Sequence, residues 1–137
     1  MDKIIQDVKY LSADEIISRN REIILKTGGF KDAAGILANS NSLNYLVKIV
    51  KDNRIYHSVQ EKAAIYAFNI ITRHIFVDGC KRTGMSCSIL FLELNDCYLL
   101  DSISDDDIVN IALGIANNEM DILSVINWFR DNVRCLS

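Results

Sequence analysis

The stretch "SVQEKAAIYAFNIITRHIFVDGCKRTGMSCSILFLELN", Ser58 to Asn95, decides the fold. It opens on a capping box: Ser58 and Glu61, three residues apart, can satisfy orphan helix-start amides reciprocally. From about 59 to 75 neither glycine nor proline interrupts the chain, and its alanines and bulky apolar residues favour a helix. Asp78-Gly79 breaks it. A second helix is expected from about Lys81 to Asn95, apolar on most sides as central helices are. Between the two lies "HIFVDGCKRTG", His74 to Gly84, which packs a histidine, a carboxylate, two glycines, a cysteine and two adjacent cations into one turn of chain.

Outward from this pair, capping signals recur. "SADE" is a capping box at Ser12 and Glu15, followed by Ile16, Ile17, Ile23 and Ile24 at helical spacing and stopped by Gly28-Gly29. "SDDD", Ser104 to Asp107, starts a helix with three carboxylates in its first turn, matching the helix dipole. "MDILSVINWFRDNV" forms the last helix, capped by Asp121, with Trp128 and Phe129 in the core. The segment 30–57 suggests two shorter helices joined by "NSNS". "CYLLDSI", 97–103, is the best extended candidate, but a crossover between helices fits it better than a strand. These signals predict an all-α fold: a single compact domain, 1–137, of about six helices with the loop between two central ones.

Composition narrows the function. The chain has 137 residues, half of them hydrophobic, no proline, a net charge of −3 and a pI near 5.3. An acidic balance weighs against nucleic-acid binding. No apolar run is long enough to span a bilayer, and "MDKIIQDVKYLSADE" has no leader-like apolar core. The cysteines are Cys80, Cys87, Cys97 and Cys135, without a CxxC pair, and with only His57 and His74 beside them no zinc spacing appears. A cytoplasmic protein with reduced thiols is expected, Cys87 and Cys97 being small buried hydrophobes and Cys135 a tail thiol.

The loop carries the chemistry. A helix that opens near Cys80 to Arg82 should present free amides, a positive dipole end and two cations, which makes an anion site. Phosphate is the obvious anion, although "GCKRTG" lacks the GK[ST] ending of a Walker A loop. Asp78 could hold a magnesium ion carried by nucleotide phosphates, which commonly takes only one or two protein carboxylates. His74 could accept a hydroxyl proton near neutral pH. Taken singly, His74 would be a helix-end histidine and Asp78 a plain cap. Together, base, metal carboxylate and phosphate clamp describe phosphoryl or nucleotidyl transfer.

The run His74, Ile75, Phe76, Val77, Asp78, Gly79, Cys80, Lys81, Arg82 resembles the core motif of the Fic/Doc family, and Lys81-Arg82-Thr83, with Met85 where a second arginine would stand, looks like the death-on-curing (Doc) branch. The likeness extends through "GGF" (28–30), "EKAAIYAFNII" (61–71) and "LFLELND" (90–96). It implies an all-helical fold. It implies His74 as the base that activates a target hydroxyl and Asp78 as the magnesium ligand. Gly79, Cys80, Lys81 and Arg82 would form the site for ATP phosphates, and Phe76 would anchor the loop. Members of the family transfer AMP to a Ser, Thr or Tyr hydroxyl of a protein; Doc is a toxin kinase acting on elongation factor Tu and is silenced by an antitoxin. Ser18 and Glu22 have the spacing of an inhibitory helix, but Ile23 follows, so inhibition is expected from a separate antitoxin.

Cys80 departs from the motif. The family has asparagine there, a phosphate-binding amide, whereas a thiol is a shorter and weaker donor. At a helix start beside two cations its pKa is expected to fall, and a thiolate would repel phosphate. The second reading is therefore a degenerate Fic/Doc domain that binds nucleotide or a partner and turns over slowly.

Overall fold

A computed structural model describes residues 7–136. The first six residues, on which the expectation of no leader partly rests, lie outside it. Six α-helices form the body: α1 (Ala13–Thr27), α2 (Ser40–Ile49), α3 (Val59–Thr72), α4 (Cys80–Leu94), α5 (Asp105–Ala116) and α6 (Ile122–Asn132). The all-helical expectation holds.

The starts are set by local chemistry. Ser12, Ser58, Ser104 and Asp121 each accept from a backbone N–H inside the helix they precede, and Ser12 and Ser104 complete full capping boxes. α3 is the centre. Eleven of its residues are buried, and α4 packs along it. Tyr66, fully buried on α3, meets the Phe91 ring of α4 at 4.9 Å between centroids and receives the Leu11 N–H on its hydroxyl. Gly84 makes the close crossing possible: a Cβ there would sit 2.8 Å from Ile71 Cγ1. α6 closes the other side with Val125 and Phe129, both fully buried, while Trp128 is half-buried.

Three expectations need correction. The 30–57 segment holds a three-residue 3-10 turn, Lys31–Ala33, and one helix, α2. "NSNS" does not join two helices, because Asn39 caps α2 by accepting from Ser42 N–H and the following residues are its first turn. α3 ends at Thr72 rather than near 75, because the chain turns left-handed at His74, φ +46°. "CYLLDSI" opens with a strand, β1 (Cys97–Leu99), antiparallel to β2 (Val133–Cys135).

That small sheet also overturns the reduced-thiol expectation. Cys97 and Cys135 face one another in the register and are joined by a disulfide. Cys135 is no exposed tail thiol: it is half-buried, and its sulfur accepts from Gln60 Nε2 at 3.3 Å. Cys97 is buried, as expected, but bonded. Cys80 and Cys87 are free. Among the described residues no helix is long and apolar enough to cross a membrane.

Candidate active site

The loop between α3 and α4 is held near its start by apolar packing. Ile75 and Phe76 are buried, which pins the chain just after the left-handed His74. Phe76 pairs with Leu37 in an isolated antiparallel bridge. Around it Val77 N–H donates to Ile36 O at 3.1 Å, and Ala38 N–H to Ile75 O at 2.8 Å. Segment 36–38 thus lies alongside 75–77, and the exposed His74 stands at the end of that pairing.

Asp78 is fixed by two backbone donors. Phe30 N–H reaches Oδ2 at 3.0 Å and Gly79 N–H reaches Oδ1 at 2.8 Å. The Phe30 N–H, supported by that of Gly79, holds the carboxyl below its ordinary range, so Asp78 is a carboxylate at neutral pH. Gly29, φ +111°, is what lets the chain pass here. A Cβ on it would stand 2.9 Å from Asp78 Oδ2 and 3.4 Å from Arg82 Nη2.

Gly79 takes the N-cap of α4 in the left-handed region, φ +76°, and among the described residues no side chain caps the helix. The first amides of α4 therefore have no side-chain acceptor and point at whatever anion approaches. Its Cβ position is also closed, 2.8 Å from Ile24 Cδ1. Lys81 and Arg82 are both exposed beside this start. The Arg82 guanidinium rests on the C-terminal end of α1, donating to Thr27 Oγ1 and, at 3.5 Å, to Gly28 O. Both cations line a largely apolar cavity of about 640 Å³ between α1, α4 and α5, with Arg19, Met85, Ile89 and Ala112 among its walls.

Cys80 behaves otherwise than expected. Its thiol turns back along the chain and donates to Phe76 O at 3.2 Å. Burial pushes its pKa up, and the Phe76 contact and Lys81 pull less strongly the other way. The expected lowering of its pKa is therefore reversed: desolvation outweighs the Phe76 contact and the Lys81 charge, and the thiol stays protonated at neutral pH.

One residue of the site went unread in the sequence. Asn20 of α1 is fully buried and hydrogen-bonds Asp78 O, Thr83 Oγ1 and Gly35 N–H. Its signal was its place in the stripe Ile16–Asn20–Ile24, one buried face at steps of four.

Among the described residues no group of three or more His, Cys, Asp or Glu side chains could hold a metal. The lone, ionised Asp78 beside an uncapped helix start could hold an ion whose other ligands are phosphate oxygens and waters.

With this geometry in hand, the Fic/DOC family model is found to match residues 10–92. That span runs from the approach to α1 to the last turn of α4 and contains the whole 74–82 loop with Asn20, Gly29 and Phe30, while the α5 wall of the cavity lies beyond it. A search of curated protein sequences gives no match.

Proposed function

The chain belongs to the Fic/DOC family, and from that premise we propose that it transfers the γ-phosphoryl group of Mg-ATP to a hydroxyl of a target protein, as a toxin of the Doc branch held in check by an antitoxin. AMPylation or phosphotransfer is the activity the family suggests in general; the choice of the phosphoryl group, of ATP and of the toxin role is our reading. The observation that carries it is the loop 74–82. A histidine, a backbone-fixed carboxylate and an uncapped helix start flanked by two cations follow one another within nine residues.

In this reading His74 takes the proton from the target hydroxyl as the hydroxyl oxygen attacks phosphorus. The bond from phosphorus to the β,γ-bridging oxygen breaks, and ADP leaves. Asp78 would hold magnesium, which supplies charge neutralisation at the phosphates when bound. The first amides of α4, with Lys81 and Arg82, hold the phosphate oxygens. The cavity that shares Lys81 and Arg82 offers apolar walls to the nucleoside. The hydroxyl belongs to a Ser, Thr or Tyr, with elongation factor Tu the first target to try. ATP as donor places the reaction in the cytoplasm, where the Cys97–Cys135 bond would meet a reducing thiol pool.

A second reading, a nucleotide- or partner-binding domain with little turnover, is favoured by one observation: the Cys80 thiol is spent on Phe76 O and gives no donor to the cradle. Parallel incubations with γ-labelled and α-labelled ATP and candidate targets separate the cases. Protein-bound γ label supports the kinase, and α label supports AMP transfer. Binding of Mg-ATP by calorimetry with no label from either position supports the second reading.

A further inference from the structure

Asn20 is 0% exposed, and both ends of its amide are hydrogen-bonded. Nδ2 donates to the Asp78 carbonyl at 2.9 Å and to Thr83 Oγ1 at 3.0 Å; Oδ1 accepts from Gly35 N–H at 2.9 Å. These partners lie on three separate pieces of chain: the motif loop, the second turn of α4, and the segment that runs from Phe30 to the strand-like 36–38. Thr83 is itself fully buried, so its hydroxyl is served inside the protein. The packing leaves little slack. A Cβ on Gly79 would lie 3.3 Å from Asn20 Nδ2.

The 30–38 segment touches the loop at further points, through Phe30 N–H on the Asp78 carboxylate, Val77 N–H on Ile36 O and Ala38 N–H on Ile75 O. In each of these the segment contributes a backbone group, so their alignment depends on how the segment sits over α1. A buried amide hydrogen-bonded at both ends is costly to rearrange, because a shift strands a donor or an acceptor in the core.

We propose that Asn20 is the positioning residue of this site, locking the 30–38 segment to the motif loop and to α4, so that the Asp78 carboxylate and the amide cradle are in place before a phosphate ligand arrives. It touches no ligand and does no chemistry. Its link to nucleotide rests on the family reading above; its link to the two segments rests on the geometry alone.

The test uses the full chain as wild type, Asn20→Leu and Val125→Ala. Leucine keeps the branching and heavy-atom count of Asn20 in a somewhat bulkier side chain and removes its hydrogen bonds. Val125→Ala opens a cavity in α6 and serves as a destabilised control away from the loop. At a temperature well below every melting point, amide hydrogen exchange is followed at Phe30 and Gly35, and Mg-ATP is titrated by calorimetry. In Asn20→Leu, exchange at both amides rises and Mg-ATP affinity falls, each by about ten-fold, as expected for the loss of one or more buried hydrogen bonds. Val125→Ala leaves both unchanged. Wild-type exchange in a folded Asn20→Leu, or an equal rise in Val125→Ala, overturns the proposal. If wild type itself fails to bind Mg-ATP, the nucleotide reading falls and the exchange comparison still decides the role of Asn20. If Asn20→Leu does not fold, Thr83→Val removes a single partner: faster exchange at Gly35, across the Asn20 side chain, upholds the lock, and unchanged exchange there overturns it.

Discussion

The Phe30 N–H donates to Asp78 Oδ2 at 3.0 Å, tying together residues 48 apart in the chain. The opposite oxygen takes Gly79 N–H. The carboxylate is therefore aimed by backbone, and its orientation does not depend on a flexible side-chain partner. In Asp78→Asn one of the two N–H groups would face an amide NH2, and the negative charge is gone. The magnesium-dependent part of ATP affinity should be lost, while binding without metal changes little, as calorimetry with and without Mg2+ would record. The pH behaviour follows from the depressed pKa. Stability contributed by the ionised form is present above the unfolded carboxylate value and disappears as pH falls through the lower folded value. The advantage of wild type over Asp78→Asn in unfolding free energy should accordingly vanish in acid.

Cys80 leads to a second expectation. With its thiol protonated and turned to Phe76 O, it should alkylate with iodoacetamide more slowly at pH 8 than an unstructured cysteine peptide. Restoring an amide by Cys80→Asn returns a donor to the cradle. One well-placed donor to a developing charge is worth about 100-fold or more in rate, so transfer should rise by about that factor. An unchanged rate would mean that the helix-start amides and cations suffice without this side chain.

What could be read from the sequence was what is local. Ser12, Ser58, Ser104 and Asp121 announced four helix starts because capping is a contact between residues three apart. The histidine, carboxylate and cations of the loop were legible for the same reason: they are contiguous. The sheet between Cys97–Leu99 and Val133–Cys135 was not, since two three-residue strands are too short to show a period and their partnership is set by how α6 packs on α3. The bridge from Leu37 to Phe76 was hidden likewise. Asn20 looked like an ordinary polar residue of α1. Only the packing of the loop over α1 shows that its amide faces inward. The state of Cys80 was misjudged because proximity to Lys81 and Arg82 is visible in sequence, whereas burial is not.

The disulfide gives a third prediction. Joining residues 38 apart should stabilise the fold by about 4 kcal/mol in the chain-entropy account. Cys97→Ala with Cys135→Ala, or wild type under reductant, should lower the urea midpoint accordingly. Identical curves with and without reductant would show that the bond does not persist in solution.

Lys62 gives a fourth. It is fully buried, donates to the Val50 carbonyl at the end of α2 and lies 5.2 Å from the centre of the Tyr10 ring. Desolvation brings its pKa down to about 8 from the ordinary 10.5. Between those values the unfolded chain holds a proton that the folded one has released, so this group's contribution to stability grows as pH rises through the window. Buried Cys87, whose pKa burial raises to about 12, acts oppositely above its ordinary value, so the comparison must be with Lys62→Met rather than with wild type alone. The stability of wild type relative to Lys62→Met should increase from pH 8 to pH 10. A flat difference would mean that the amine stays charged in the core.

The central claim is that His74 and the loop after it form a working transfer site. The most direct measurement is the incorporation of γ-label from ATP into a target protein hydroxyl by wild type, Cys80→Asn and His74→Ala under one set of conditions. We predict label with wild type, more with Cys80→Asn, and at least a 100-fold loss with His74→Ala, the order expected for removing a general base. Label that survives undiminished in His74→Ala, or its absence from both wild type and Cys80→Asn, would contradict it.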